Sequence, residues 1–156
     1  MDITLFEHNR IAYQKVLRML EETGKAAIIH PTGTGKSFIG FKLCQDFQDK
    51  TVCWLSPSEY IFRTQVENLA AGSQVSADNM KEPYCSTGNG VRGLDNVRFY
   101  TYAKLISMTE SELQKIKPDY IVLDEFHRCG AKVWGQGVRR VLDMYPGARV
   151  LGLSAT

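Results

Sequence analysis

The chain has 156 residues, of which 44% are hydrophobic and 23% are charged. These values are ordinary for one globular domain, and they exclude a mainly disordered chain and a pair of large domains. The net charge is +2, from 19 Lys and Arg against 17 Asp and Glu, so it argues neither for nor against a nucleic-acid partner.

No apolar run approaches the roughly 18 residues that a membrane-spanning helix requires, and the N-terminus has no signal-peptide pattern. We therefore expect a cytoplasmic protein that does not contact a membrane. The cysteines are scattered and include no CxxC pair, which predicts reduced thiols rather than a zinc site or a disulfide framework. They are Cys44, Cys53, Cys85 and Cys129.

Short apolar runs alternate with stretches of helical spacing. In chain order, the pattern predicts a helix over 8–22, a strand over 25–30, a helix over 36–47, a strand over 51–56, a helix over 57–70, strands over 97–102 and 119–124, a helix over 132–144 and a strand over 149–153. This alternation is typical of an α/β fold with right-handed crossovers. Nearly continuous apolarity in the strands predicts a three-layer parallel sheet covered on both faces. Residues 72–96 predict a long loop with one short element.

A glycine-rich segment links the first predicted strand to the second predicted helix. Gly-Lys-Ser in this context is the Walker A signature, in which glycines let backbone N–H groups surround phosphate oxygens at a helix N-terminus. Lys36 would reach the terminal phosphates, and the Ser37 hydroxyl would bind Mg²⁺. The strict pattern requires glycine where His30 stands, and the alternative interpretation is a plain glycine-rich turn. The expected nucleotide-binding residues are Pro31, Thr32, Gly33, Thr34, Gly35, Lys36 and Ser37.

Two adjacent carboxylates, Asp124 and Glu125, stand at the end of the predicted strand over 119–124. Ligands of open α/β sheets bind at the carboxyl ends of strands, where Asp124 can hold Mg²⁺ through water and Glu125 can accept a proton from an attacking water. Adjacent carboxylates are a poor structural choice unless a metal or substrate is bound beside them. The alternative interpretation is a solvated acidic turn, in which His127 is a local hydrogen-bond partner.

Three segments together resemble a known family. Pro31–Ser37, Asp124–His127 and Ser154–Thr156 (PTGTGKS, DEFH and SAT) resemble motifs I, II and III of superfamily 2 helicases and translocases, in the right order. The resemblance covers essentially the whole chain and is closest to DExH-type proteins, including restriction-enzyme motor subunits. It implies the first RecA-like P-loop domain of a nucleic-acid-stimulated ATPase that uses ATP and Mg²⁺. It also implies catalytic roles for Lys36, Asp124 and Glu125.

Further positions follow from the resemblance. The family's N-terminal motif uses a glutamine to read adenine, and Asn9 stands in that place, with Gln14 as a second candidate. The residues expected to couple the ATP state to domain movement are His127, Ser154 and Thr156. Arg128, Arg139 and Arg140 could be basic contacts, although a solvated face is the favoured interpretation.

The segment after the second strand resembles motif Ia. Ser56 fits a helix N-cap, Pro57 the first helical residue and Glu59 the capping-box partner, so the helix N-terminus would face a nucleic-acid phosphate. Gln65, farther along this helix, could add a contact. The expected nucleic-acid contacts are Ser56, Pro57, Arg63 and Thr101, the last in a segment that resembles motif Ib. Plain capping and helix surface are the alternative.

The family's second RecA-like domain is absent from these 156 residues. We therefore expect this chain, taken alone, to be nearly inactive, because that domain supplies arginines worth roughly 10³–10⁵ in rate. DNA is favoured over RNA as the track. The alternatives are a P-loop phosphotransferase, which would usually carry an arginine-rich lid, and a non-catalytic nucleotide-binding scaffold.

Overall fold

The computed structural model describes residues 3–30, 35–72, 94–126 and 132–154. Its elements are α1 (Glu7–Thr23), β1 (Lys25–Ile29), α2 (Lys36–Asp46), β2 (Val52–Ser56), α3 (Glu59–Gly72), β3 (Val97–Thr101), α4 (Tyr102–Ser107), α5 (Glu110–Gln114), β4 (Tyr120–Asp124), α6 (Lys132–Met144) and β5 (Arg149–Ser154). Every predicted strand and helix is confirmed, with small shifts at the ends. The predicted loop over 72–96 lies mostly outside the described residues.

The five strands form one parallel sheet in the order β1-β5-β4-β2-β3. Side chains from α1, α2 and α3 pack on one face, and side chains from α4, α5 and α6 pack on the other. The predicted three-layer α/β fold is therefore confirmed. Among the described residues, no helix is both long and apolar enough to cross a membrane.

An aromatic cluster fixes α2 and α3 against the sheet. The Trp54 ring of β2 stacks on Phe41 with 4.6 Å between centroids, and Phe62 stacks on Phe99 at 4.1 Å. Gly40 lies so close to this cluster that an added Cβ would come within 2.6 Å of Trp54. The helix that follows the phosphate loop is thereby held at a short, fixed distance from β2.

Burial differs between the centre and one edge of the sheet. All residues of β2 and β4 are buried, whereas burial alternates along β1, where Ile29 is 55% exposed. Within the described residues, β1 pairs only with β5. The prediction of strands covered on both faces is therefore wrong for β1, because its position in the sheet depends on strand order and not on its own composition.

Two short helices went unpredicted. The Thr101 hydroxyl caps α4 by accepting a hydrogen bond from Lys104 N at 3.0 Å, and Thr109 forms a capping box with Glu112 at the start of α5. The T-x-x-E pattern of that box is visible in the sequence, but α5 has only 5 residues and therefore carries no helical period.

Arg140 is exposed, as the solvated-face interpretation expects, and it also has structural partners. Its guanidinium donates to Leu105 O and Met108 O at 3.1 Å each and ties α6 to the end of α4. Arg139 is exposed, in agreement with the favoured interpretation. Arg128 lies outside the described residues.

Buried thiols account for two of the four cysteines. Cys44 and Cys53 are free and buried, and burial raises the pKa of each thiol, so both stay protonated and unreactive. Cys85 and Cys129 lie outside the described part of the chain.

Candidate functional site

The carboxyl ends of the parallel strands meet at one edge of the sheet, and the phosphate-loop helix begins there. Gly35 precedes α2 with φ of +76°, a left-handed conformation that side chains rarely adopt. Lys36 and Ser37 follow in the first turn of α2 and are partly buried. Pro31, Thr32, Gly33 and Thr34 lie outside the described residues.

The Walker A lysine and the second acidic residue meet at this edge. Lys36 Nζ lies 4.0 Å from Glu125 Oε1, and their side chains are only 11% and 20% exposed. Glu125 has φ of +54°, in the left-handed region that a residue with a side chain rarely adopts. This strained turn directly after β4 lets Glu125 contact Lys36.

Asp124 ends β4 and is completely buried. Gln65 Nε2 donates to its Oδ2 at 2.8 Å, whereas Oδ1 is buried and has no hydrogen-bond partner. Burial raises the pKa of Asp124 to about 6, although the hydrogen bond from Gln65 opposes the shift. The hydroxyl of Tyr102 donates to the Asp124 backbone carbonyl at 2.6 Å and fixes the main chain there.

The donor set fits Mg²⁺ better than a metal held entirely by protein. Among the described residues, no group of three His, Cys, Asp or Glu side chains could hold a metal. Mg²⁺ is usually bound by one or two protein oxygens together with waters and substrate phosphates. The orphaned Oδ1 of Asp124 is a buried acceptor that a metal-bound water would satisfy. The hydroxyl of Ser37 is the second candidate.

Asn9, and not Gln14, lies beside Gly35, the residue that precedes α2. Asn9 is completely buried, and its Nδ2 donates to Gly35 O at 3.4 Å. Gln14 is exposed on α1. Of the two candidates for contact with adenine, the structure therefore brings only Asn9 to the N-terminus of α2.

The start of α3 corrects the predicted cap. The Ser58 hydroxyl accepts a hydrogen bond from Ile61 N at 3.1 Å, and the helix begins at Glu59. The prediction of Ser56 as N-cap and Pro57 as first helical residue is wrong, because β2 extends to Ser56. The Ser56 hydroxyl is buried and donates to Ser58 O at 3.4 Å. Glu59 is too close to Ser58 to be a capping-box partner.

The remaining candidates fall in three places. Arg63 is exposed on α3, and Thr101 is the N-cap of α4. Ser154 is 4% exposed at the end of β5, where its carbonyl accepts from His30 N at 3.1 Å. His127 and Thr156 lie outside the described residues.

Two residues of the site, Gln65 and Tyr102, were not predicted to lie there. Gln65 was expected beside nucleic acid but instead bonds Asp124, and Tyr102 was not singled out. Gln65 lies 59 residues from Asp124 in the sequence, so only the packing of α3 on the sheet brings the two together.

Comparisons with known proteins agree with this architecture. The profile of the family described as type III restriction enzyme, res subunit, matches residues 2–156. The chain is similar in structure to the helicase domain of Pyrococcus furiosus Hef, with a TM-score of 0.63 and 19% sequence identity. That alignment covers 96% of this chain and 33% of the Hef chain, so the present chain spans about a third of that structure. The search of curated protein sequences gave no significant match.

Proposed function

The chain belongs to the family of type III restriction enzyme res subunits and has the RecA-like fold of superfamily 2 motor domains, and from this premise we propose that it binds and hydrolyses ATP to drive movement on nucleic acid. The contact of Lys36 with Glu125 at 4.0 Å, beside the buried Asp124, supports the proposal most directly. It joins a phosphate-binding cation and two carboxylates at the end of the sheet where ligands bind.

Each charged residue has a distinct role in the proposed reaction. Lys36 binds the terminal phosphates and offsets their charge, so that Glu125 exchanges its lysine partner for the attacking water. Glu125 accepts the proton from that water. Ser37 and Asp124 would hold Mg²⁺, which when bound neutralises charge that develops on the phosphate oxygens. Asn9, beside Gly35, reads the adenine edge.

Nucleic acid is the proposed track, with DNA favoured over RNA. Ser56 and Thr101 end β2 and β3, and Pro57 and Arg63 follow β2, so these residues lie where helix N-termini suit phosphates. Since the chain spans about a third of the matched helicase structure, the whole protein's activity is part of the proposal. We also propose that a second RecA-like domain completes the site, and that Ser154, His127 and Thr156 transmit the ATP state to it. The cytoplasmic location stays a prediction.

ATP turnover of the full-length protein tests this proposal. Turnover is measured with and without single- and double-stranded DNA and RNA, in the wild type, in Glu125→Gln and in Glu22→Gln, an exposed control on α1. We expect one polymer to stimulate ATP turnover strongly in the wild type and in Glu22→Gln, but not in Glu125→Gln. That polymer identifies the track. Turnover that no polymer changes would contradict the motor assignment and favour a phosphotransferase or a scaffold.

A further inference from the structure

A glutamine in α3 reaches the carboxylate proposed to hold the metal. Gln65 Nε2 donates to Asp124 Oδ2 at 2.8 Å, and both partners keep one buried oxygen without a hydrogen bond, Oε1 of Gln65 and Oδ1 of Asp124. Each orphaned buried acceptor has lost its hydrogen bonds to water without gaining a partner, which destabilises the fold. Two of them joined through one hydrogen bond indicate a cluster that a further donor or a cation would complete.

The same helix begins at the proposed nucleic-acid side. Ser58 caps α3 directly after the end of β2, and Arg63 is exposed on this helix. Gln65 lies less than two turns from the cap, on the side that reaches β4. A small shift of α3 on its phosphate contacts would therefore change the hydrogen bond to Asp124.

We propose that Gln65 is a positioning residue that orients the Asp124 carboxylate towards Mg²⁺ and makes this orientation depend on nucleic acid bound at α3. The proposal rests on the proposed function, since it requires both ligands. Gln65 touches neither the nucleotide nor the metal in this scheme. It occupies Oδ2 and thereby leaves Oδ1 as the oxygen available for a metal-bound water.

Direct binding measurements on the full-length protein test the role of Gln65. The affinity for the fluorescent nucleotide mant-ADP is measured with Mg²⁺ and with EDTA, each with and without a short oligo(dT) strand or a DNA duplex. Gln65→Met keeps the side-chain length but removes the donor. Gln65→Glu keeps the shape but places a carboxylate against Oδ2. Asn68→Met replaces an exposed amide on the same helix and is the matched control.

We expect different results for mant-ADP affinity with Mg²⁺, for its change on adding DNA, and for mant-ADP affinity in EDTA. Gln65→Met lowers the Mg²⁺-dependent part of mant-ADP binding about 10-fold, as loss of an outer partner of a metal ligand usually does. It also abolishes the effect of DNA on nucleotide affinity, whereas binding in EDTA matches the wild type. Gln65→Glu has the larger effect, and Asn68→Met has none.

Other outcomes overturn the inference. If Gln65→Met loses mant-ADP affinity equally with Mg²⁺ and with EDTA, Gln65 only supports the fold. If DNA changes the mant-ADP affinity of Gln65→Met as much as that of the wild type, the effect of DNA does not depend on Gln65. In both cases the proposed motor function would stand. If the wild type shows no Mg²⁺-dependent nucleotide binding or no effect of DNA, the proposed function fails and the inference fails with it.

Discussion

The carboxyl edge of the sheet has two halves that use their polar residues differently. After β1 and at the end of β4 the functional residues include the charged Lys36, Asp124 and Glu125, and Asp124 is buried with an unsatisfied oxygen. At the ends of β2 and β3 the hydroxyls of Ser58 and Thr101 each accept a hydrogen bond from the first turn of a helix. The first half carries chemistry that the fold alone leaves incomplete, whereas the second half is complete without a ligand.

This difference predicts opposite effects of substitution. In the charged half, a neutral substitution should reduce ATP turnover while leaving the free energy of unfolding unchanged or raising it. In the hydroxyl half, removal of a cap should lower the free energy of unfolding before it affects nucleotide binding. Any residue that shows the reverse behaviour would place the border between the halves elsewhere.

The largest effect is expected for Lys36→Met. It removes the cation proposed to bind the terminal phosphates, and loss of one group that stabilises developing charge typically lowers kcat by about 10²–10³-fold. The free energy of unfolding should change far less than turnover does, because the described ion pair of Lys36 is a long contact of 4.0 Å with Glu125. ATP turnover and urea unfolding measure the two quantities.

Lys42→Met is the matched control for this variant. Lys42 is on the same helix and pairs with Asp46 at 3.5 Å, away from the phosphate loop. It should keep wild-type turnover and show a similarly small change in stability. Equal turnover losses in the two variants would contradict the phosphate-binding role of Lys36.

The second effect is a pH-dependent gain in stability for Asp124→Asn. The folded-state pKa of Asp124 is raised from 3.8 to about 6, so protonated Asp124 favours the folded state and this contribution is lost as pH rises between these values. Near neutral pH the buried charge therefore costs about 1–3 kcal/mol, which the asparagine avoids. Mg²⁺-dependent turnover should be lost at the same time.

Urea unfolding of the wild type and Asp124→Asn across this pH range provides the test. The difference in unfolding free energy should grow as pH rises from about 4 to about 6 and then stay constant. A difference that does not vary with pH would mean that Asp124 is not desolvated in the folded protein. Asp143→Asn, at an exposed carboxylate on α6, is the control for the chemical change itself.

The residues of the charged half could be predicted from the sequence because each of its motifs is a continuous segment. Gly35, Lys36 and Ser37 are consecutive, as are Asp124 and Glu125, and each group follows an apolar strand. Local pattern therefore predicted both the elements and the residues that meet. The Gln65 contact with Asp124 joins distant segments and depends on how α3 lies on the sheet, which no local pattern encodes.

The sequence-based prediction also failed at the border between β2 and α3. Ser56, Pro57 and Glu59 satisfied a capping pattern that competes with strand pairing, and the pairing of Ser56 with Thr101 in the sheet decided the outcome. The edge position of β1 is a failure of the same kind, since strand order is a property of the whole sheet.

The smallest effect is expected in the hydroxyl half, for Thr101→Ala. The Thr101 Oγ1 accepts from Lys104 N at 3.0 Å, and loss of such a cap typically costs about 1 kcal/mol in the free energy of unfolding. Thr101→Ser keeps the hydroxyl and should remain close to the wild type. Affinity for mant-ADP should be the same in all three proteins, because the hydrogen bond from Tyr102 of α4 to the Asp124 carbonyl does not involve the Thr101 hydroxyl.

Nucleic-acid binding by these variants sharpens the comparison. If Thr101 contacts a phosphate in addition to capping α4, Thr101→Ala should also weaken oligo(dT) binding, and Thr101→Ser should not. Ser58→Ala, which removes the cap of α3, should lower stability by a similar amount. A loss of mant-ADP affinity in either alanine variant that exceeds its loss of DNA affinity would contradict the division of the edge into two halves.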